Sequence, residues 1–311
     1  MDFDYLVFIG RFEPFHNGHA AVARHALGRA RKLIFLVGSA DTPRTIRNPW
    51  TVAERAVMIQ AALERDVDRL IIRPLRDHLY NESQWIAGVQ RAVAEAIRDD
   101  DGADSARVGL VGMDKDDSSY YLREFPQWPL VDVQHTETLS ATELRRYLFE
   151  AGDIDFHGAL LMLRGNVPAP VFDMLDAFRK TSPAHAQLVA EHQFIAQYKA
   201  SWKSAPYPPT FVTTDAVVVH SGHVLLVHRR AEPGKGLWAL PGDFVGQNQG
   251  ILESCLRELR EETRLKIPVP VLKGSLKSQS VFDHPERSQR GRTITHAFHF
   301  DFPAGGLPAV K

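Results

Sequence analysis

The chain is poor in cysteine: Cys255 stands alone in 311 residues, which excludes an intramolecular disulfide and leaves apolar burial to hold the fold. It also lacks an excess of either charge. Lys and Arg number 37 against 38 Asp and Glu, a formal net charge of −1 with no basic block. That balance removes the electrostatic footprint expected of a nucleic-acid binder while leaving room for a local basic pocket. No run of about 18 apolar residues is present to span a bilayer. The N-terminus carries Asp2, Asp4 and a short apolar run, where a secretory signal would be basic and then apolar. Neither nucleic acid nor membrane is expected as a partner, and a reducing cytoplasm is the expected location. Repeats and low-complexity segments are absent too. What remains is an ordinary globular composition, long enough for two domains that each bury a core.

Short apolar runs at YLVFIG, LIFLVGS, LIIRPL, RVGLVG and PLVDV alternate with helical patterns over 17–30, 51–64 and 83–98. This is the rhythm of βαβ units and a parallel sheet, whose nucleotide sites lie at strand ends where the strand order reverses. Residues 140–203 read mostly as helix, including 169–180 and 184–202, until SAPYPPT at 204–210 breaks the pattern with three prolines. A different texture follows. DAVVVHSGHVLLVHRR reads as two β-rich runs joined at Ser221 and Gly222, as in a hairpin.

The segment GRFEPFHNGH, residues 10–19, follows the first apolar run and opens a helix. Gly10 permits a tight turn, and Asn17 is the expected N-cap. His16 and His19 sit at the mouth of that helix, where free N–H groups and the positive dipole end favour an anion. Two imidazoles one turn apart can donate to one phosphate chain, and Arg11 adds a permanently charged fork. Farther on, Ser140 and Glu143 of LSATELRRYL are spaced as a capping box.

These segments resemble the HxGH and ISxTxxR signatures of the nucleotidyltransferase superfamily. NPWTVAER at 48–55, GMDKDDSSYYLREFPQW at 112–128 and the pair Asn81 and Trp85 narrow the likeness to the archaeal-type nicotinamide mononucleotide adenylyltransferases. The resemblance implies a Rossmann-like α/β domain in which the 5′-phosphate of nicotinamide mononucleotide attacks the α-phosphorus of ATP, giving NAD and pyrophosphate. It assigns Arg11, His16, His19 and Arg145 to catalysis, and Gly10, Phe12, Arg47, Ser140 and Thr142 to ATP. Asn81 would read the carboxamide of the nicotinamide ring and Trp85 would stack on it, since a cationic ring prefers an aromatic face. Mg²⁺ would bridge the triphosphate oxygens. Another phosphate-bearing acceptor of the same superfamily is the competing reading.

Residues 237–265, LWALPGDFVGQNQGILESCLRELREETRL, resemble the Nudix box Gx5Ex7REUxEExGU, which implies an α+β Nudix domain. On a helix Leu252, Cys255, Leu256 and Leu259 form one stripe, while Glu258, Glu261 and Glu262 share another side and suit Mg²⁺ or Mn²⁺. Arg257, four residues from Glu261, is expected to orient it. Asp243, Gln249 and Arg264 depart from the box, which has Gly, Glu and Gly there. Gln249 is expected to cost a charge facing the metals, and Asp243 to compensate in part if it points inward. Beside an NAD-making domain the implied substrate is ADP-ribose, cleaved to AMP and ribose 5-phosphate, with Arg290 and Arg292 of RSQRGRTITHAFHF available for its phosphates or terminal ribose. A domain that senses ADP-ribose or NAD without cleaving it is the alternative. The expected organisation is an adenylyltransferase domain over 1–183, a helical and Pro-rich connection over 184–207 and a Nudix domain over 208–311. The resemblance implies one more strand and helix than 208–311 hold.

Overall fold

A computed structural model describes the chain except residues 104, 113–120, 134–138, 151–155, 309 and 311, and the side chains of 156 and 157. The centre of GMDKDDSSYYLREFPQW therefore lies outside the described residues. Two compact units are present, Met1–His192 and Gln193–Lys311.

In the first unit, strands β1 (Phe3–Gly10), β2 (Ala30–Val37), β3 (Leu70–Pro74), β4 (Val108–Gly112) and β5 (Leu130–Asp132) form one sheet in the order β3-β2-β1-β4-β5. All four pairings are parallel. The five apolar runs are these five strands. β1 is apolar on both faces because both are covered: Leu6 and Phe8 enter one core with Val22, Ala23, Met58 and Ile59, and Tyr5, Val7 and Ile9 enter the other with Val89, Val93 and Ala96. Those partners lie on α1 (Asn17–Arg29), α2 (Val52–Ala62) and α3 (Glu82–Asp99). The strand order reverses between β1 and β4, so the connections leaving β1 and β4 diverge and open a crevice at the carboxyl edge. Helices α4 (Ala141–Glu150), α5 (Phe156–Asn166), α6 (Ala169–Thr181) and α7 (Pro183–Ser201) follow, with α7 crossing from one unit to the next.

The second unit holds a mixed four-stranded sheet in the order β10-β11-β6-β7. Its strands are β6 (Thr210–His220), β7 (His223–Val224), β10 (Leu276–Phe282) and β11 (Arg292–Phe302), with β11 parallel to β6. Short strands β8 (Val227–His228) and β9 (Trp238–Ala239) pair with each other. The β6–β7 hairpin turns at Ser221 and Gly222, both at positive φ (49° and 77°), the conformation a two-residue type I′ turn requires. Helix α8 (Ile251–Thr263) lays Cys255, Leu256 and Leu259 against Ala216, Val218, Phe298 and Phe300, with Leu252 at the margin, and α9 (Val269–Gly274) adds Leu272.

Candidate active sites

At the end of β1, a Cβ on Gly10 would lie 2.9 Å from the Phe12 ring, so only glycine admits the turn. Phe12 takes a positive φ of 56° and is 1% exposed, its ring fixed among Phe8, Phe15, His19 and Phe35. Its side chain is therefore core, and only its backbone can meet a ligand.

The N-cap of α1 is His16; Asn17, expected in that role, is the first helical residue and donates its Nδ2–H to Gly165 O. His16 Nδ1 accepts from the Gly18 N–H at 3.2 Å, and His19 Nδ1 accepts from the His16 N–H at 3.3 Å, a capping box built from two imidazoles. Their rings stack at 3.7 Å. With both Nδ1 atoms accepting, each neutral ring carries its proton on Nε2, which makes Nε2 the donor at the helix mouth.

Arg145 is 6% exposed. Its Nη1 donates to Glu13 O at 2.6 Å, Nε to Ile46 O at 3.1 Å and Nη2 to Thr142 Oγ1 at 3.1 Å. Burial, then the neighbouring Arg11 and Arg47 cations, push its pKa down to about 10. Three guanidinium groups thus crowd one place, a field that a polyphosphate would relieve. Ser140 Oγ accepts from the Glu143 N–H while Glu143 Oε2 accepts from the Ser140 N–H and hydroxyl, which is the expected capping box.

Asn81 caps α3, its Oδ1 accepting the Gln84 N–H at 3.0 Å, and it is exposed. Trp85 is half-buried, packed 6.2 Å from Tyr121 and 6.0 Å from Phe125. The Tyr121 hydroxyl donates to Ile9 O at 3.3 Å, and burial pushes its pKa up to about 12. Asn81 and Trp85 are tied by the first helical bond, Trp85 N–H to Asn81 O at 3.1 Å.

In the second unit, a Cβ on Gly242 would fall 1.9 Å from Thr214 O, and its N–H donates to Glu262 Oε2 at 2.9 Å. Burial and the nearby Asp243 and Asp215 raise the pKa of Glu262. Burial likewise raises that of Glu258, with Asp243 and Glu261 adding to it against Arg257. The Asp243 charge is thus felt at both carboxylates. Arg257 Nη1 contacts Glu258 Oε1 at 2.5 Å and Glu261 Oε2 at 3.0 Å, the orienting role expected of it. Both glutamates are thus engaged by one guanidinium, and among the described residues no three carboxylate, imidazole or thiol groups converge as one metal cluster. Gln249 Oε1 accepts from Arg257 Nε at 2.9 Å and Ser254 Oγ at 3.1 Å, so the charge missing at 249 is one that would face an arginine.

Arg290 lies 4.7 Å from the centre of the Phe244 ring and 5.9 Å from that of Tyr198, and burial lowers its pKa. Arg292 Nη1 donates to Asp283 O and holds its own connection. Residues not anticipated from the sequence join both sites. Asp215, raised in pKa by burial, lies 3.6 Å from Arg287 and close to Arg229. Glu13 and Arg55, each 1% exposed, lie 3.2 Å apart behind the first site. The available signal was a charge inside an otherwise recognised motif, since Glu13 interrupts GRFEPFHNGH and Arg55 closes NPWTVAER.

A cytidylyltransferase-like family model matches residues 7–146 and a NUDIX domain model matches 209–310. A bifunctional NMN adenylyltransferase/ADP ribose pyrophosphatase from Francisella tularensis is 34% identical. It superposes with a TM-score of 0.90 over 99% of this chain and 88% of its own. The chain belongs to this bifunctional family. Within it, the first unit is similar to the nicotinamide/nicotinic acid mononucleotide adenylyltransferase of Acinetobacter baylyi, 39% identical over 155 residues that cover 49% of this chain and 79% of the relative. An ADP-ribose pyrophosphatase from Methanocaldococcus jannaschii is 36% identical over 98 residues, which span 32% of this chain and 54% of the relative. The structure of the Francisella enzyme has also been solved with AMP and a manganese ion.

Proposed function

We propose that the chain transfers AMP from ATP to nicotinamide mononucleotide in its first domain, and hydrolyses ADP-ribose to AMP and ribose 5-phosphate in its second. The observation that carries the first activity is the paired imidazole cap of α1 beside Arg11, Arg47 and Arg145 at the sheet's switch point. An acceptor phosphate oxygen forms a bond to the α-phosphorus while the bond to the pyrophosphate leaving group breaks, so the protein needs no nucleophile of its own. Its work is positioning and charge stabilisation. His16 and His19 donate through Nε2, and Arg11 and Arg47 neutralise the phosphates. Arg145, bonded to two backbone carbonyls, holds the walls of the site and adds its charge. Ser140 and Thr142 meet phosphate from the start of α4, while Asn81 and Trp85 bind the nicotinamide.

In the second domain Glu258 and Glu262 fit a divalent cation. They are carboxylates crowded by Asp243 and kept partly from water, and Mg²⁺ needs only one or two such ligands beside substrate phosphates. Mg²⁺ or Mn²⁺ there would polarise the pyrophosphate, with Arg257 yielding its hold on Glu258 and on Glu261, which would join them. Arg290 and Arg292 flank the substrate. The substrates are small molecules in both domains, and among the described residues no helix is long and apolar enough to cross a membrane.

Incubation with ATP, Mg²⁺ and either nicotinamide or nicotinic acid mononucleotide, followed by chromatography, tests the first activity; dinucleotide and pyrophosphate are expected in equal amounts. No dinucleotide from either acceptor would favour another superfamily substrate. Metal-dependent release of AMP from ADP-ribose tests the second, and binding without cleavage would make that domain a sensor.

A further inference from the structure

Behind the phosphate loop lies an ion pair whose two residues bond directly to Arg11 and Arg145 of the site. Arg55, on the first turn of α2, donates through Nη1 to Arg11 O and Gly38 O at 2.7 Å each, through Nε to Thr51 O at 3.3 Å and through Nη2 to Ser39 O at 3.5 Å. Glu13 accepts the Trp50 N–H at 3.1 Å on Oε2, and its own carbonyl receives Arg145 Nη1 at 2.6 Å. The two side chains therefore tie together the ends of β1 and β2 and the start of α2, and the backbone carbonyl of the anchored Glu13 holds the guanidinium of α4.

The consequence for the site is geometric. A trans peptide sets its N–H opposite its C=O. With Arg11 O turned toward Arg55, the N–H of Phe12 points to the other side, away from the brace. Ser39 O also accepts from the Thr42 hydroxyl and Thr51 O from the Arg55 N–H, so the brace bears chiefly on Arg11 O and Gly38 O, the two inward carbonyls it bonds at 2.7 Å. Arginine suits the task because its planar fork reaches several acceptors at once, whereas a lysine ammonium is a point donor. The carboxylate of Glu13 acts first on the Arg55 charge and then on Arg145 and Arg11, so one acid sits among three guanidinium groups.

We infer that Glu13 and Arg55 form a buried brace that positions Arg11, Arg145 and the Phe12 N–H for the triphosphate of ATP, so that both are positioning residues for adenylyl transfer. This rests on the reading of the β1–α1 connection as the phosphate site. The test is steady-state kinetics of full-length Arg55→Lys, Glu13→Gln and the double variant, varying ATP and nicotinamide mononucleotide separately, with ADP-ribose hydrolysis followed on the same preparations. Arg55→Lys is expected to lower kcat/KM for ATP by about tenfold or more, because a lysine ammonium lacks the planar fork that holds Arg11 O and Gly38 O while facing Glu13. The KM for nicotinamide mononucleotide stays within about twofold and hydrolysis is unchanged. Glu13→Gln keeps an acceptor for the Trp50 N–H and loses less. The double variant is no worse than Arg55→Lys, since both act through one unit. Wild-type kcat/KM for ATP in Arg55→Lys overturns the inference, as does an equal rise in both KM values together with a lower melting temperature, the mark of a purely structural pair. Should Arg55→Lys yield no folded protein, Glu13→Gln carries the same test: an ATP-specific loss supports the brace and wild-type kinetics overturn it. Failure of the wild-type protein to make dinucleotide would instead refute the functional reading itself.

Discussion

At position 249 an amide oxygen receives the Nε–H of Arg257 at 2.9 Å, where the Nudix box has a carboxylate. A carboxylate there would turn this bond from an ionised donor to a neutral amide into an ion pair, a stronger hold on Arg257. The shortfall has a destination, because Arg257 Nη1 remains on Glu258 and Glu261. Gln249→Glu should therefore pull Arg257 toward residue 249 and release the two glutamates. The expected outcome is tighter metal activation of ADP-ribose hydrolysis, with the half-saturating Mg²⁺ concentration lowered by about two- to fivefold, the range of a partly exposed ion pair; a metal titration of the initial rate checks it. No change, or weaker activation, would mean that Arg257 does not compete for the glutamates. The sequence made the departure at 249 visible but misjudged its target, since a motif states which residue is missing and not what that residue would have touched. At 264 the same comparison was sounder: Arg264 takes φ 54° at the C-cap of α8, a left-handed position at which the box has glycine.

The connection from β1 to α1 is where elements meet on one acid. Glu13 faces Arg55 of α2, Arg145 of α4 and Arg11 of its own connection, yet burial outweighs all three cations and pushes its pKa up to about 7. Its Oε1 lies 3.2 Å from Arg55 Nε without an aligned hydrogen bond, which is consistent with incomplete compensation. A carboxylate raised above its ordinary value binds its proton more tightly when folded. Its stabilising contribution is therefore full below about pH 4.5, declines as pH rises and is lost above about 7. Urea unfolding of wild type and Glu13→Gln at pH 5 and pH 8 should show the wild type losing stability relative to the variant on going to pH 8. A pH-independent difference would refute it. The ionised pair is thus held against the preference of the fold, as suits a positioning element. The strands and helices around this connection were legible because parallel strands covered on both faces are unbroken apolar runs and the helices keep their period. Glu13 and Arg55 were not, because period and propensity carry no signal for a charge that is buried with a partner 42 positions away. The cap of α1 was misplaced by one residue for a related reason: His16 caps through an imidazole nitrogen, outside the usual set of capping oxygens.

Across the whole molecule the two chemistries use different groups for related charge problems. The first unit gathers cations and imidazoles for a polyphosphate, and the second gathers carboxylates for a metal that would itself hold a pyrophosphate. A near-neutral net charge conceals both, which is why composition alone excluded a nucleic-acid surface without revealing either pocket. Among the described residues, none assigned to one site lies in the other unit, so a substitution at either site should be silent at the other. Glu262→Gln is the sharpest case. It keeps an acceptor for the Gly242 N–H, so the turn at Gly242 survives, while the charge offered to the metal is removed. Hydrolysis of ADP-ribose should fall by at least about two orders of magnitude, the scale of losing one charge beside a divalent ion at short range. Dinucleotide formation from ATP and nicotinamide mononucleotide should proceed at the wild-type rate in the same tube. Equal loss of both activities would place the two reactions on one set of groups, and retained hydrolysis would move the metal to Glu258, Asp243 and Asp215.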